Sequence, residues 1–254
     1  MSLNRVWLDG DPPTKVATPS TLFWIIKILS TGVGETTSDY FIRQYEPVAV
    51  VMIAAVVFVL ALAWQMTRKR YLVWPYWSAV VMVSVFGTMA ADITHVVLGV
   101  PYAVSTVFFA IVLGATFAVW YGAEASLSVH SINNPRRETF YWIAIVTTFA
   151  LGTATGDLTA TTLGLGYLTS GLLFVSLFVA TGVVWWVFRA NTVACFWIAY
   201  ILTRPVGASF ADWMGVSVQR GGLNWGTGPV SIVLATAILV LVAVSSWVLS
   251  RSTA

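Results

Sequence analysis

Charge is scarce in this sequence. Of 254 residues, 9% are Asp, Glu, Lys or Arg and 58% are hydrophobic, and the mean hydropathy of +0.84 is far from that of a soluble domain. A single cysteine, Cys195, excludes an intrachain disulfide and a thiolate metal cluster. No His-Glu-x-x-His, Gly-x-Ser-x-Gly or phosphate-cradling glycine loop is present, so the common hydrolase and nucleotide chemistries lack their motifs. Aspartate is rarer still, with six in all. Two of them, Asp9 and Asp11, lie in the amino-terminal stretch, and the other four close long apolar runs.

Those four acids belong to a repeat. Trp, Gly and Asp recur as W-x9-G-x4-D at Trp24/Gly34/Asp39, Trp77/Gly87/Asp92, Trp142/Gly152/Asp157 and Trp197/Gly207/Asp212. At this composition the triplet arises by chance in about one register in ten thousand, so four copies mark internal duplication. Successive tryptophans lie 53, 65 and 55 residues apart. The longer interval contains the polar stretch Ser126 to Glu138, with Asn133-Asn134-Pro135 as its turn signal.

The apolar runs are long enough to cross a hydrocarbon core of about 30 Å as helices. Eight are expected, over 21–41, 47–66, 74–98, 101–122, 139–161, 167–188, 193–214 and 229–249. The fold class is therefore an all-α integral membrane protein of eight transmembrane helices. They form four tandem two-helix repeats, about 21–70, 71–125, 138–190 and 192–251, behind a cytoplasmic tail over 1–20. Two spans per repeat make all four copies enter the bilayer in the same direction, in a pseudo-fourfold or a two-plus-two grouping. The tail has no apolar core and does not read as a secretion signal. Arg5, Lys15, Arg68, Lys69, Arg70, Arg136, Arg137, Arg189 and Arg251 fall on the side of the termini, with Arg43 and Arg220 opposite. Both termini are expected inside. The net charge of +3 reflects these flanks, so no nucleic-acid partner is read into it. Membrane lipid is the expected surrounding, and a homo-oligomer is compatible with the sequence.

Four two-span units, each with its tryptophan, resemble a bacterial family of membrane proteins defined by such a repeat and without an assigned function. The likeness is carried by Lys27 to Asp39, Thr155 to Ala160 and Arg204 to Asp212. The resemblance implies architecture and, faintly, an association with metal efflux. It implies a bacterial inner membrane as the location.

From Trp to Asp is about 22 Å of helical rise and a net rotation of about 60°, which puts each pair toward one face at opposite ends of its helix. Trp24, Trp77, Trp142 and Trp197 are expected to anchor the inner interface. A carboxylate at membrane depth is costly and is a functional candidate. Steps of four residues back from each acid stay on one face, which is polar in three repeats: Asp39/Glu35/Thr31, Asp92/Thr88/Ser84 and Asp157/Thr153. Converging copies would stack oxygen ligands suited to a hard cation. His95, three residues past Asp92, would add an imidazole and turn the expectation toward manganese. The expected metal ligands are Asp39, Asp92, Asp157, Asp212, Glu35 and His95, supported by Thr31, Ser84, Thr88 and Thr153. Capping of helix ends is the rival role for the acids.

In the fourth repeat Arg204 and Ala208 replace the stripe. A guanidinium about 12 Å deeper than Asp212 would obstruct free flow while pairing with Glu35 or an emptied acid ring, so Arg204 reads as gate or counter-charge. Pro205 beside it should kink the helix. Lys27 is expected to snorkel toward the cytoplasmic face. Glu124 and His130 offer an inner waystation, with an ordinary wet interface as the alternative. The functional expectation is an exporter of a divalent cation, manganese first, bound by the acid ring and coupled to protons, with no resident cofactor. A receptor or scaffold is the alternative, and an intramembrane enzyme, which would need one carboxylate pair rather than four related acids, ranks below it.

Overall fold

The computed structural model describes residues 14–252, so Arg5, Asp9, Asp11, Pro12 and Pro13 of the expected tail lie outside the described residues. Among the described residues the chain is helical throughout: α1 (Thr21–Gln44), α2 (Pro47–Met66), α3 (Val73–Asp92), α4 (Tyr102–Glu124), α5 (Pro135–Asp157), α6 (Tyr167–Phe188), α7 (Thr192–Gly215) and α8 (Thr227–Ser252). Local chemistry sets the starts. Ser20, Asn134 and Asn191 accept a hydrogen bond from the backbone N–H of the third residue of α1, α5 and α7, and Glu46 caps α2 ahead of Pro47. Pro135 is therefore the first residue of α5 and no part of a turn, which starts that helix four residues before the expected 139.

Seven of these helices are long and apolar enough to cross a membrane. The exception is α1, which carries Lys27, Glu35, Asp39 and Arg43. Burial divides the helices into two classes. The apolar windows of α2, α4, α6 and α8 are only 11–17% buried, whereas those of α3, α5 and α7 are 56–67% buried. The helices that carry the repeat Trp, Gly and Asp thus form the interior and the uniformly apolar ones the outside, the order expected when lipid is the solvent.

The inner helices touch in the order α1, α3, α5, α7 and back to α1. Each outer helix packs mainly on the inner helix of the next repeat: α2 on α3, α4 on α5, α6 on α7, and α8 on α1. The repeat glycines explain how the inner ring closes. A Cβ on Gly34 would collide with Ser84, one on Gly87 would meet Phe149 Cβ at 3.2 Å, one on Gly152 would meet Arg204 Cβ at 2.6 Å, and one on Gly207 would collide with Thr31. Each partner is the residue seven past the tryptophan of the following repeat, the fourth contact joining the last repeat to the first. Small residues at these crossings let the backbones approach. Helix α7 is continuous through Pro205, whose ring packs against Gly152 and Gly156.

One end of the ring is closed by residues 14–17. Lys15 is buried in an ion pair with Glu138, and Gln65 donates to the Glu138 carboxylate at 3.0 Å and to the Lys15 carbonyl at 2.9 Å. The Lys15 amide donates to Ile132 O at 2.7 Å, and Val16 and Ala17 join the core. Lys15 is thus a buried structural cation, a role its topological expectation did not include.

Candidate functional site

The polar residues of the inner ring lie at successive heights. Next to each repeat tryptophan stands another aromatic, Phe23, Tyr76, Tyr141 or Phe196, and the Tyr76 and Tyr141 hydroxyls hydrogen-bond at 2.7 Å. About one turn further, Lys27 is fully buried, its ammonium 3.9 Å from the Phe149 ring centroid and 4.4 Å from that of Tyr200. It does not snorkel: α1 is an inner helix, and the aromatic layer stands between Lys27 and the nearer end.

Arg204 comes next. Its Nη2 donates at 2.6 Å to Glu35 Oε2 on α1 and at 2.6 Å to Thr88 Oγ1 on α3. Since α3 stands opposite α7 in the ring, the guanidinium crosses the middle of the bundle. Its stem packs on Gly152, so the repeat glycine makes room for it.

Beyond Arg204 the carboxylates gather. Oxygens of Glu35, Asp157 and Asp212, from α1, α5 and α7, all lie within 4.8 Å of one another. Glu35 and Asp212 are buried and Asp157 is partly so. Asp92 is held at the side of the group by Ser38, whose Oγ donates to Oδ2 at 2.8 Å. Asp39 is not part of the cluster; its carboxylate pairs with Arg43 one turn on, at 2.6 Å. Asp39 is near the rim, where Arg43 supplies the nearest counter-charge, so the expected ring of four acids becomes three carboxylates with Asp92 beside them.

Several expected roles are corrected. His95 is occupied structurally: Nδ1 lies 3.0 Å from Val100 O, Nε2 lies 3.5 Å from Ser105 Oγ, and the ring sits against Tyr102. The helix has changed pitch by that point, which turns the imidazole toward α4. Trp77, Trp142 and Trp197 are buried in the bundle and Trp24 is half-buried against Phe178 and Phe196, so the repeat tryptophans are core residues. Trp197 Nε1 donates to Leu127 O at 3.0 Å. Exposed tryptophans at the ends are others, Trp64, Trp74, Trp185, Trp186 and Trp247 at the terminal side and Trp225 opposite. Glu124 is held by Arg137 at 2.7 Å and Arg136 at 3.3 Å, which ties the end of α4 to the start of α5, and His130 is exposed. An inner ion waystation at this pair loses its carboxylate to the two arginines.

The hydroxyl stripe is largely turned to backbone. Thr31 Oγ1 lies 2.6 Å from Ile28 O and 3.0 Å from Thr203 O, while Thr153 donates to Phe149 O at 2.9 Å. Thr88 donates to Ser84 O at 2.9 Å and accepts from Arg204. Two features went unforeseen. The chain winds into a π-helical turn directly after Asp92 (Ile93–Val97) and after Asp157 (Leu158–Thr162), an irregularity often found at working sites. A shared Asp-x5-Leu-Gly, ending at Gly99 and Gly164 with φ of 64° and 69°, is the sequence signal for both. The Tyr76–Tyr141 pair was equally readable from the aromatic that precedes every repeat tryptophan.

The model of a family described as Repeat of Unknown Function (DUF347) matches four segments, residues 22–71, 75–126, 140–191 and 195–251. No curated protein and no solved structure matches the chain.

Proposed function

This chain belongs to that family of tandem repeats, and we propose that it is a membrane carrier for a hard cation, held by Glu35, Asp157 and Asp212. The supporting observation is the mutual 4.8 Å limit on oxygens from three separate helices. Ligands about 2.0 to 2.6 Å from one ion stand up to about 5 Å apart across it, so the spacing suits a single magnesium, manganese or calcium ion. With His95 committed elsewhere, the donors are all oxygen, and the imidazole argument that singled out manganese falls away. Three close carboxylates repel one another unless a cation or protons neutralise them, which couples ion binding to proton release.

Arg204 is the resident counter-charge in this reading. An arriving cation competes with its guanidinium for Glu35, and the crossing side chain blocks free flow along the axis. The closed layer of Lys15, Glu138, Tyr76 and Tyr141 at the far end supports a carrier in preference to an open channel. We place α1 as the eighth span, with the four repeats parallel about one pseudo-fourfold axis, a reading supported by the cyclic glycine contacts. The basic flanks favour both termini on the cytoplasmic side, with export across a bacterial inner membrane as the direction.

The test is uptake into proteoliposomes from a panel of Mg²⁺, Mn²⁺, Ca²⁺, Zn²⁺ and Na⁺. Transport of at least one hard cation is expected, with Asp157→Asn and Asp212→Asn each reducing it at least tenfold. Parent-like transport by both variants would remove the site from the mechanism.

A further inference from the structure

The two ends of the ring differ in access. At the carboxylate end Asp92 and Asp157 are part-exposed, whereas Lys15, Gln65 and Glu138 at the terminal end are 3%, 0% and 0% exposed. What seals that end is the strap of residues 14–17, which precedes the first matched repeat segment at residue 22 and so belongs to none of the four repeats. Tyr71, whose N–H donates to Thr14 O at 2.9 Å, sets its ring 5.5 Å from that of Tyr76, and Val16 and Ala17 share one apolar cluster with Tyr76 and Tyr141. The strap is thus the outermost layer over the tyrosine pair.

Its attachments can be undone without unravelling a helix. The Lys15 amide donates to Ile132 O at 2.7 Å, and Thr14 Oγ1 lies 3.3 Å from both Val129 O and Ile132 O. Those residues, like Tyr71, stand in the α2–α3 and α4–α5 connections. The Lys15 ammonium donates at 3.2 Å to Met66 O, the last carbonyl of α2, and pairs with Glu138 in the first turn of α5. Release would break no bond internal to a helix. Glu138 would keep the Gln65 amide at 3.0 Å and the favourable N-terminal field of α5. One ion pair and a few loop contacts therefore tie the end of α2 to the start of α5, and a unit of that size opens well below global unfolding.

We infer that residues 14–17 are a detachable latch, which leaves the ring as a unit while the eight helices stay packed and so opens its terminal end. In the proposed carrier the latch is the inner gate, closed while the carboxylates face the other side and released once a cation is bound. That role rests on the carrier reading, whereas release itself is measured without transport.

The purified full chain carrying Cys195→Ser is labelled with a maleimide in detergent. Val16→Cys, at a site 1% exposed, is compared with Thr18→Cys at an exposed site and Ile145→Cys at a site 0% exposed in α5. Val16→Cys should react about tenfold faster than Ile145→Cys and more slowly than Thr18→Cys. Adding Lys15→Met should quicken Val16→Cys about tenfold and leave Ile145→Cys unchanged. If that variant does not fold, Thr14→Ala should quicken it about threefold. Saturating Mg²⁺, Mn²⁺ or Ca²⁺ should speed release, and Asp212→Asn should remove that effect. In proteoliposomes, Lys15→Cys/Glu138→Cys joined by a short thiosulfonate crosslinker should lose cation transport and regain it on reduction. Val16→Cys reacting no faster than Ile145→Cys would overturn the inference. So would a crosslinked latch that transports as before, or release indifferent to every cation in a chain that transports. A latch that opens in a chain moving no cation would sink the carrier reading and leave the latch standing.

Discussion

Arg204→Met separates the electrostatic role of this side chain from its packing, because methionine keeps much of the stem lying on Gly152 while removing the guanidinium. In the parent, Arg204 is 1% exposed and the Glu35 carboxylate 7%, and they meet at 2.6 Å with Thr88 as a second acceptor. Removing one member of such a pair leaves a buried uncompensated charge, a loss of about 3 to 5 kcal/mol. For a chain of this size that corresponds to a Tm lower by about 10 °C. The vacated Glu35 should then bind a cation without competition. A divalent ion at a hundred times Kd returns about 2.7 kcal/mol, most of the loss. Thermal unfolding in detergent would be followed in EDTA and in excess Mg²⁺, Mn²⁺ or Ca²⁺, with Glu35→Gln/Arg204→Met as the double variant. It should recover to within about 1 kcal/mol of the parent in EDTA and gain little from cations. An Arg204→Met protein as stable as the parent in EDTA, or destabilised but indifferent to cations, would refute the reasoning.

The glycine contacts make a second prediction. Gly207→Ala places a methyl group into Thr31 and the Ile28 carbonyl and should destabilise the bundle by about 1 to 3 kcal/mol, whereas Gly182→Ala, on an open face of α6, should change stability by less than about 0.5 kcal/mol. Equal Tm values for the two would undo the account of ring closure. For His95, replacement by Ala should leave cation affinity within about twofold and lower stability by about 1 kcal/mol through its lost hydrogen bonds. A tenfold loss of affinity measured by titration calorimetry would return the imidazole to the ligand set.

The architecture was readable because duplication writes the same spacing four times. The Trp, Gly and Asp positions mark the four helices that prove to be the inner ones, and hydropathy marked the spans, while the division into inner and outer came with their burial and contacts. What the spacing could not give was azimuth. A step of fifteen residues leaves Trp and Asp about 60° apart, and a rotation of that order decides whether an indole meets lipid or a neighbouring helix. Trp77, Trp142 and Trp197 turned inward, while the unrepeated Trp64, Trp74, Trp185, Trp186 and Trp247 took the exposed ends. The acids divided for a related reason. Asp39 has an arginine one turn away and Asp92 has Ser38 across a helix contact, local partners that a stripe drawn on a single helix does not include. His95 was misread because its position assumed a regular helix past Asp92, where the chain goes over to π geometry. The Arg204–Glu35 pair was more accessible, since an intramembrane arginine needs a nearby carboxylate and few are present.

The carboxylate cluster is tested most directly by anomalous scattering. Crystals of the protein grown with Mn²⁺ should show one strong manganese peak within about 2.0 to 2.6 Å of oxygens from Glu35, Asp157 and Asp212 together, and that peak should vanish in Asp212→Asn. Parent crystals with no peak there, or with manganese at Asp39 or His95 instead, would contradict the proposed site.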